Sequence, residues 1–415
     1  MKQMSFMGLC LSVVCSVASA GLYLDFGSTA LTEGPDANGN YWNNVAITSA
    51  GASTGLLVDD ANNVTGVDLV FLTDSYATNS GALADPDPNL LGDLAIATVT
   101  GDYHAQLGSY GYGPTSFQLT GLNPDSRYVL SIYGGRLGGD ANDVRITQFD
   151  VQGVIAELQT TGPIGDPNGS FANGNDSTVL VTDTVAPDAN GVIEVTFVAV
   201  EGGIGYLSAM KVNEVSSVML VDFGATPTEG ADSNGNYWNS VVGTAITNDD
   251  NPALNLVDDA NNPMDVTYIQ LDEAYATNSG SLVDPDPNLL GDLAVGTATG
   301  DYHAQLFAGY GVPPISFLLA GLDPNQSYVM SFYAGRDAEE VRVTQFDVLG
   351  TNADVGTLQT SGVGIGVSPD YANGNDSVVL VTKPIVPDEN GEILVTYGVI
   401  EGSYGYLGAM KVVAF

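Results

Sequence analysis

The chain is one sequence written twice, and that duplication limits what it can fold into. The stretch from Leu22 to Val212 returns from Met219 to Val412 with its motifs in the same order. "DFG" at Asp25–Gly27 returns at Asp222–Gly224, and "NGNYWN" at Asn38–Asn43 returns at Asn234–Asn239. "TNSG", "DPDPNLLGDLA", "TGDYHAQL", "TQFDV" and "ANGNDS" follow in both, and each copy closes on "GYL-x-AMKV". A period near 200 residues is far longer than a solenoid repeat and fits one whole domain per copy, each large enough for its own core. The division expected is a leader over 1–20, a first domain over 21–213 and a second over 218–415.

The leader reads as a secretory signal. Lys2 supplies the positive start, Phe6 to Val17 is apolar, and Ala18-Ser19-Ala20 is a small-residue cleavage site. The apolar run is too short to span a bilayer. Both cysteines, Cys10 and Cys15, lie inside it, so a processed chain has no disulfide and no cysteine metal site. The chain carries 49 acidic residues against 9 basic ones, a net charge of −40. Such a surface repels nucleic acid and anionic membranes. It suits either solubility in a salty medium or recruitment of calcium.

Composition points to strands, with abundant Gly and turn formers and few helix-favouring residues. Leu22, Leu24 and Phe26 alternate, as do Val67, Leu69 and Phe71, and then Tyr128, Leu130 and Ile132. Turn formers such as "NPDS" and "PDANG" separate these runs. About ten such strands per copy predict an all-β chain: two tandem antiparallel β-sandwiches of the jelly-roll type. The link at Asn213–Ser217 is short and lacks Pro and Gly, so the two sandwiches are expected to sit close together.

Four groups of residues could carry chemistry. Arg136 and Arg336 recur among very few basic residues, and each is either a structural carboxylate partner or a ligand contact. In "TGDYHAQL", strand alternation puts Asp102, His104 and Gln106 on one face, and Asp301, His303 and Gln305 likewise. That strip either reads sugar hydroxyls or is an ordinary polar outer face. No G-x-S-x-G accompanies the histidines, so a Ser-His-Asp enzyme is weakly supported. Tyr41 with Trp42, and Tyr237 with Trp238, either stack on a sugar ring or plug the sandwich end. Tyr110 and Tyr112 in a Gly-rich loop are further stacking candidates, and Tyr310 recurs in the second copy. Finally, Asp85, Asp87, Asn89 and Asp93 sit at loop positions 1, 3, 5 and 9, as do Asp284, Asp286, Asn288 and Asp292. An EF-hand is excluded because Leu90 and Ile96 stand where its Gly and bidentate acid belong, which leaves a weak oxygen-only Ca2+ loop or a plain turn.

The stretches "LYLDFG", "NYWNN", "YGGR" at Tyr133–Arg136, "PDANGVIEV" and "GYLSAMKV" resemble a module of secreted and envelope proteins of environmental bacteria, some of which carry a PEP-CTERM sorting tail. That module is similar to the galactose-binding-like jelly rolls, including malectin-like and carbohydrate-binding modules. The resemblance implies a non-catalytic, extracellular protein binding a polysaccharide or glycan surface; the acidic loops, not the resemblance, make calcium the one candidate cofactor. It implies no nucleic-acid partner and no membrane insertion. The alternative is a structural envelope or matrix protein that self-associates, and a third is a polysaccharide-acting enzyme dependent on His104.

Overall fold

The computed structural model describes residues 21–28, 34–164, 171–242, 253–305 and 313–415. The expected leader and Tyr310 lie outside these residues. Alternation becomes layered sheets. In Thr115–Thr120, Thr115, Phe117 and Leu119 point inward while Ser116, Gln118 and Thr120 face out. This strand belongs to a six-stranded sheet ordered Val154–Thr161, Arg145–Val151, Ile193–Glu201, Thr115–Thr120, Val64–Phe71 and Ser53–Val58. A five-stranded sheet packs against it, ordered Leu180–Val181, Tyr128–Tyr133, Ala209–Glu214, Leu22–Phe26 and Asn43–Val45. The inner faces meet in one core that includes Leu24, Phe26, Leu130, Phe117, Phe149 and Phe197. Pairing is antiparallel except where Leu22–Phe26 meets Asn43–Val45.

A third sheet of three short strands, Gly205–Leu207, Tyr103–Gln106 and Tyr76–Thr78, stands beside the sandwich. The second copy rebuilds all three sheets from its own strands in the same order. The protein is therefore all-β, with two tandem sandwiches.

The five-stranded sheet is buried on both faces, with every residue of Leu22–Phe26 and Tyr128–Tyr133 inaccessible. Its outer face is covered by the "DPDPNLLGDLA" segment, whose Leu91 and Leu94 pack on Tyr23, Tyr133 and Ala209. Asp87 caps a single helical turn at Pro88–Leu91, accepting a hydrogen bond from the Asn89 amide at 2.8 Å. The recurring motif is thus a packing loop.

The two copies are joined by more than a linker. The Val215 amide donates to the Arg127 carbonyl and the Ser216 amide to the Ala414 carbonyl, each at 2.8 Å. Val129 of the first copy is buried in one cluster with Val218, Leu220, Val413 and Phe415 of the second. Arg127, a basic residue with no counterpart in copy two, bonds Asp259 across the boundary at 2.5 Å. Lys411 bonds Asp183 of the first copy and, at 2.6 Å, Asp292 of its own.

Candidate functional site

Opposite residues of an antiparallel pair share a face. Tyr76 faces Ala105, and Ala105 faces Tyr206, so these three form one row across the three-stranded sheet. Tyr103 lies on the same face, its ring 4.8 Å from that of Tyr206. Tyr76 ends the row, two strand spacings from Tyr206, about 10 Å. It is 53 % exposed, and its counterpart Tyr275 is 56 % exposed.

Two guanidiniums converge on the Tyr206 hydroxyl. Arg136 reaches it through Nη1 at 3.3 Å and donates Nε to the Ser80 carbonyl at 3.1 Å. Arg145 also bonds it and is held by Asp143 at 2.8 Å. The second copy repeats the group. Arg336 Nη1 lies 2.8 Å and Arg342 Nη1 2.5 Å from the Tyr406 hydroxyl, and Glu340 holds Arg342. The "TNSG" motif makes this geometry. Gly81 and Gly280 adopt φ of +77° and +72°, which turns the chain so that the Ser80 and Ser279 carbonyls meet the Tyr103 and Tyr302 hydroxyls at 2.7 and 2.6 Å. Burial pushes both Tyr103 and Tyr302 up to about 12, so they stay protonated donors.

In the first copy the Gly108–Tyr110 turn continues this end of the sheet, with the Ser109 amide on the Gly203 carbonyl. Tyr110 and Tyr112 there are exposed. Each site therefore has an open phenol ring at one end of the tyrosine row and a half-buried arginine at the other. Such a pair can stack on an apolar sugar face and bond its polar edge.

The polar strip expected from "TGDYHAQL" is not on the surface. The Tyr103–Gln106 strand is buried on both sides, because it is the middle of three strands and seals the core. His104 is fully buried, stacked on Phe71 at 5.4 Å and edge-on to Phe26 at 5.7 Å. His303 sits in the same place against Phe223. Burial pushes both imidazoles down to about 4, so they are neutral at pH 7. Ser75 bonds His104 Nδ1 at 2.9 Å, but Ala274 replaces it in copy two, so no Ser-His pair recurs. Gln106 donates to the Tyr112 and Gly113 carbonyls and accepts from the Ala199 amide, and Gln305 accepts from the Val399 amide. These amides stitch loops to the sheet.

Asp102 and Asp301 are also buried, each over a glycine. A Cβ on Gly27 would lie 1.9 Å from the Asp102 carboxyl carbon, and one on Gly224 would lie 1.8 Å from Asp301 Oδ1. Asp102 shares a hydrogen bond with fully buried Asp25, whose pKa is pushed up to about 9 by burial and then by the Asp102 charge. The equivalent Asp222 is pushed up to about 7 by burial, offset by donors from Thr228. "DFG" therefore encodes a sealed acid pair, closed to any glycosidic bond.

The tryptophans are packing residues. Trp42 lies 4.9 Å from Tyr23 and donates to Asp36 at 2.8 Å; Trp238 is buried and donates to Asp232 at 2.9 Å. Tyr41 and Tyr237 are half-buried, their amides bonded to the Asp60 and Asp259 carbonyls. The four oxygens of the expected calcium loop do not converge. Asp85 is exposed, Asp87 and Asn89 bond each other, and Asp93 is paired with Lys211 at 2.9 Å and with the Tyr23 hydroxyl. In copy two Asp284 is exposed, Asp286 bonds Asn288, and Asp292 is held by Lys411. Among the described residues no group of three or more His, Cys, Asp or Glu is arranged to hold a metal ion. Of the expected ligand residues, Arg136 and Arg336 stand half-buried at this tyrosine row, of which only Tyr76 and Tyr275 are exposed. Tyr76, Tyr206 and their counterparts escaped the sequence reading, although Tyr76 stands two residues before the recurring "TNSG".

Among the described residues no helix is long and apolar enough to cross a membrane. The sequence matches no family model and no curated protein. Among solved structures it is similar to the ANXUR2 extracellular domain from Arabidopsis thaliana, at 9% identity and a TM-score of 0.34, covering 95% of this chain and 96% of that one. It is also similar to TmCBM61, solved in complex with β-1,4-galactotriose, at 16% identity and a TM-score of 0.18 over 27% of this chain and 70% of that one. A tandem CBM22 domain from Paenibacillus barcinonensis Xyn10C matches at 8% identity and a TM-score of 0.16, over 75% of this chain and 91% of that one. Likenesses this distant carry no argument about a ligand, which must come from the site itself.

Proposed function

We propose that this chain is a secreted, non-catalytic carbohydrate-binding protein with one site per copy, on the outer face of each three-stranded sheet. One observation carries this reading. A row of tyrosines with an exposed ring at one end and a half-buried arginine on its other end is built twice from the same motifs. Two weak sites on one chain gain avidity on a polymer, whereas a second active site would only double a rate. The test is binding of the whole protein to a panel of plant, algal and bacterial polysaccharides, with calcium and again with a chelator. At least one polysaccharide is expected to retain the protein, and loss in the chelator arm would assign calcium a role. A blank panel in both arms overturns the reading.

The shared core between the copies favours a second reading, a rigid structural block of the cell envelope without a ligand site. It expects the blank panel together with calcium-dependent self-association in solution.

A further inference from the structure

This inference rests on the glycan-binding reading and names the chemistry of the ligand. The chain has 49 acidic residues for 9 basic ones, so a carboxylate is easily found for any cation. Among the described residues five of the eight Lys and Arg have one: Arg127 with Asp259, Arg145 with Asp143, Lys211 with Asp93, Arg342 with Glu340, and Lys411 with Asp183 and Asp292. Arg136 and Arg336 have none. Their bonds go to neutral oxygens: the Ser80 carbonyl and the Tyr206 and Tyr103 hydroxyls for Arg136, and the Tyr406 and Tyr302 hydroxyls for Arg336. The acids within the same cluster, Asp143 and Glu340, are already taken by Arg145 and Arg342. Lys383 also lacks a carboxylate partner, but copy one has Asp183 in its place, so that feature is not repeated.

A guanidinium has five N–H donors in a planar fork. Arg136 spends three on neutral oxygens, and Arg336 bonds the Tyr406 and Tyr302 hydroxyls. Each site thus holds a positive charge with donors to spare at one end of the tyrosine row and an open phenol ring at the other. Asp143 acts on Arg136 only through space, and neither arginine bonds a carboxylate. Neutral hydroxyls would be served by any donor, whereas such a fork is suited to a planar or tetrahedral anion. We propose that Arg136 and Arg336 bind an anionic substituent, a carboxylate or a sulfate, of a polysaccharide whose sugar ring lies on Tyr76 or Tyr275.

The net charge of −40 opposes a polyanion at long range. That repulsion is screened beyond about 8 Å at physiological salt, while contact inside the site is screened less. Affinity is therefore expected to rise as salt increases from about 0.01 M to about 0.15 M, the reverse of a basic polyanion binder.

The experiment uses matched polymers on the whole protein by biolayer interferometry: polygalacturonate against its fully methyl-esterified form, and a sulfated galactan against its desulfated form. The anionic member of at least one pair is expected to bind tenfold or more tighter, and the pair that responds identifies carboxylate or sulfate. The double variant Arg136→Lys/Arg336→Lys keeps the charge and removes the fork, and should lower that preference about tenfold. The matched comparison on the unaltered protein stands even if the variant folds poorly. Equal or tighter binding of the neutral forms overturns the anion assignment and leaves glycan binding intact. Failure of all four polymers, together with a blank polysaccharide panel, overturns both.

Discussion

Stability toward denaturant is expected to fall as the pH is raised from about 6.5 to about 9. The source is the pair of buried acids in each copy. An unfolded aspartate titrates at 3.8, whereas Asp25 in the fold is pushed up to about 9 and Asp222 to about 7, in both cases chiefly by burial. Below the unfolded value both states hold the proton, so the contribution is complete. Between the unfolded and folded values only the native state holds it, and stability declines by up to about 1.4 kcal/mol per pH unit for each such group. Two groups act between about pH 4 and 7, and Asp25 alone above that. Below about pH 6.5 they are offset by His104 and His303, which burial pushes down from 6.5 to about 4, so that the unfolded state gains protons there that the fold refuses. A second set works in the opposite direction. Asp93 and Asp292 lie below the usual carboxylate range, because Lys211 and Lys411 outweigh the burial that raises them, and that stability is lost as the pH falls through their folded values. Asp25→Asn/Asp222→Asn isolates the first set. Urea titrations above about pH 6.5 should give a much flatter profile for this variant than for the parent. Parallel profiles would show that the acid pairs do not hold their protons in the fold.

Replacing Lys411 is expected to cost far more than replacing its counterpart Lys211, although the two occupy the same position in the two copies. Lys411 is 2 % exposed and bonds two carboxylates, one from each copy. Lys411→Ala would leave Asp183 and Asp292 facing each other at the boundary between copies. Stranding a buried charge costs about 3 kcal/mol or more, and the partial exposure of both carboxylates keeps the figure at that lower end. Lys211 meets a single, half-exposed carboxylate, so Lys211→Ala should cost about 1 kcal/mol or less from the ion pair. Calorimetry should show Lys411→Ala lowering the transition and resolving two unfolding steps, because the charge cluster lies at the seam that couples the copies. A single transition shifted equally by the two substitutions would contradict that role.

The fold was legible because duplication gave the domain count and alternation gave the strands. The faces were less so. Alternation in "TGDYHAQL" separates His104 from Tyr103 and Ala105, but nothing local says that both sides are covered. In "DPDPNLLGDLA" the oxygen spacing drew attention to a cation, while the informative pair was Leu91 and Leu94, three residues apart and both buried. Arg136 was legible as a recurring cation in an acidic chain. Tyr76 was not, since its exposure depends on ending a row across three strands that are distant in sequence. The unmatched Arg127 carried a different signal. A residue that breaks the copy-to-copy match marks where the copies must differ, and it lies at their boundary.

The most direct test of the account is calorimetric titration of a binding oligosaccharide into the unaltered protein, into each of Tyr76→Ala and Tyr275→Ala, and into the double variant. These exposed positions should cost little stability, within about 0.5 kcal/mol, so losses would report on binding. Two sites per chain are predicted for the parent, one for each single variant and none for the double. Undiminished binding by the double variant would contradict the assignment of the site to the three-stranded sheet.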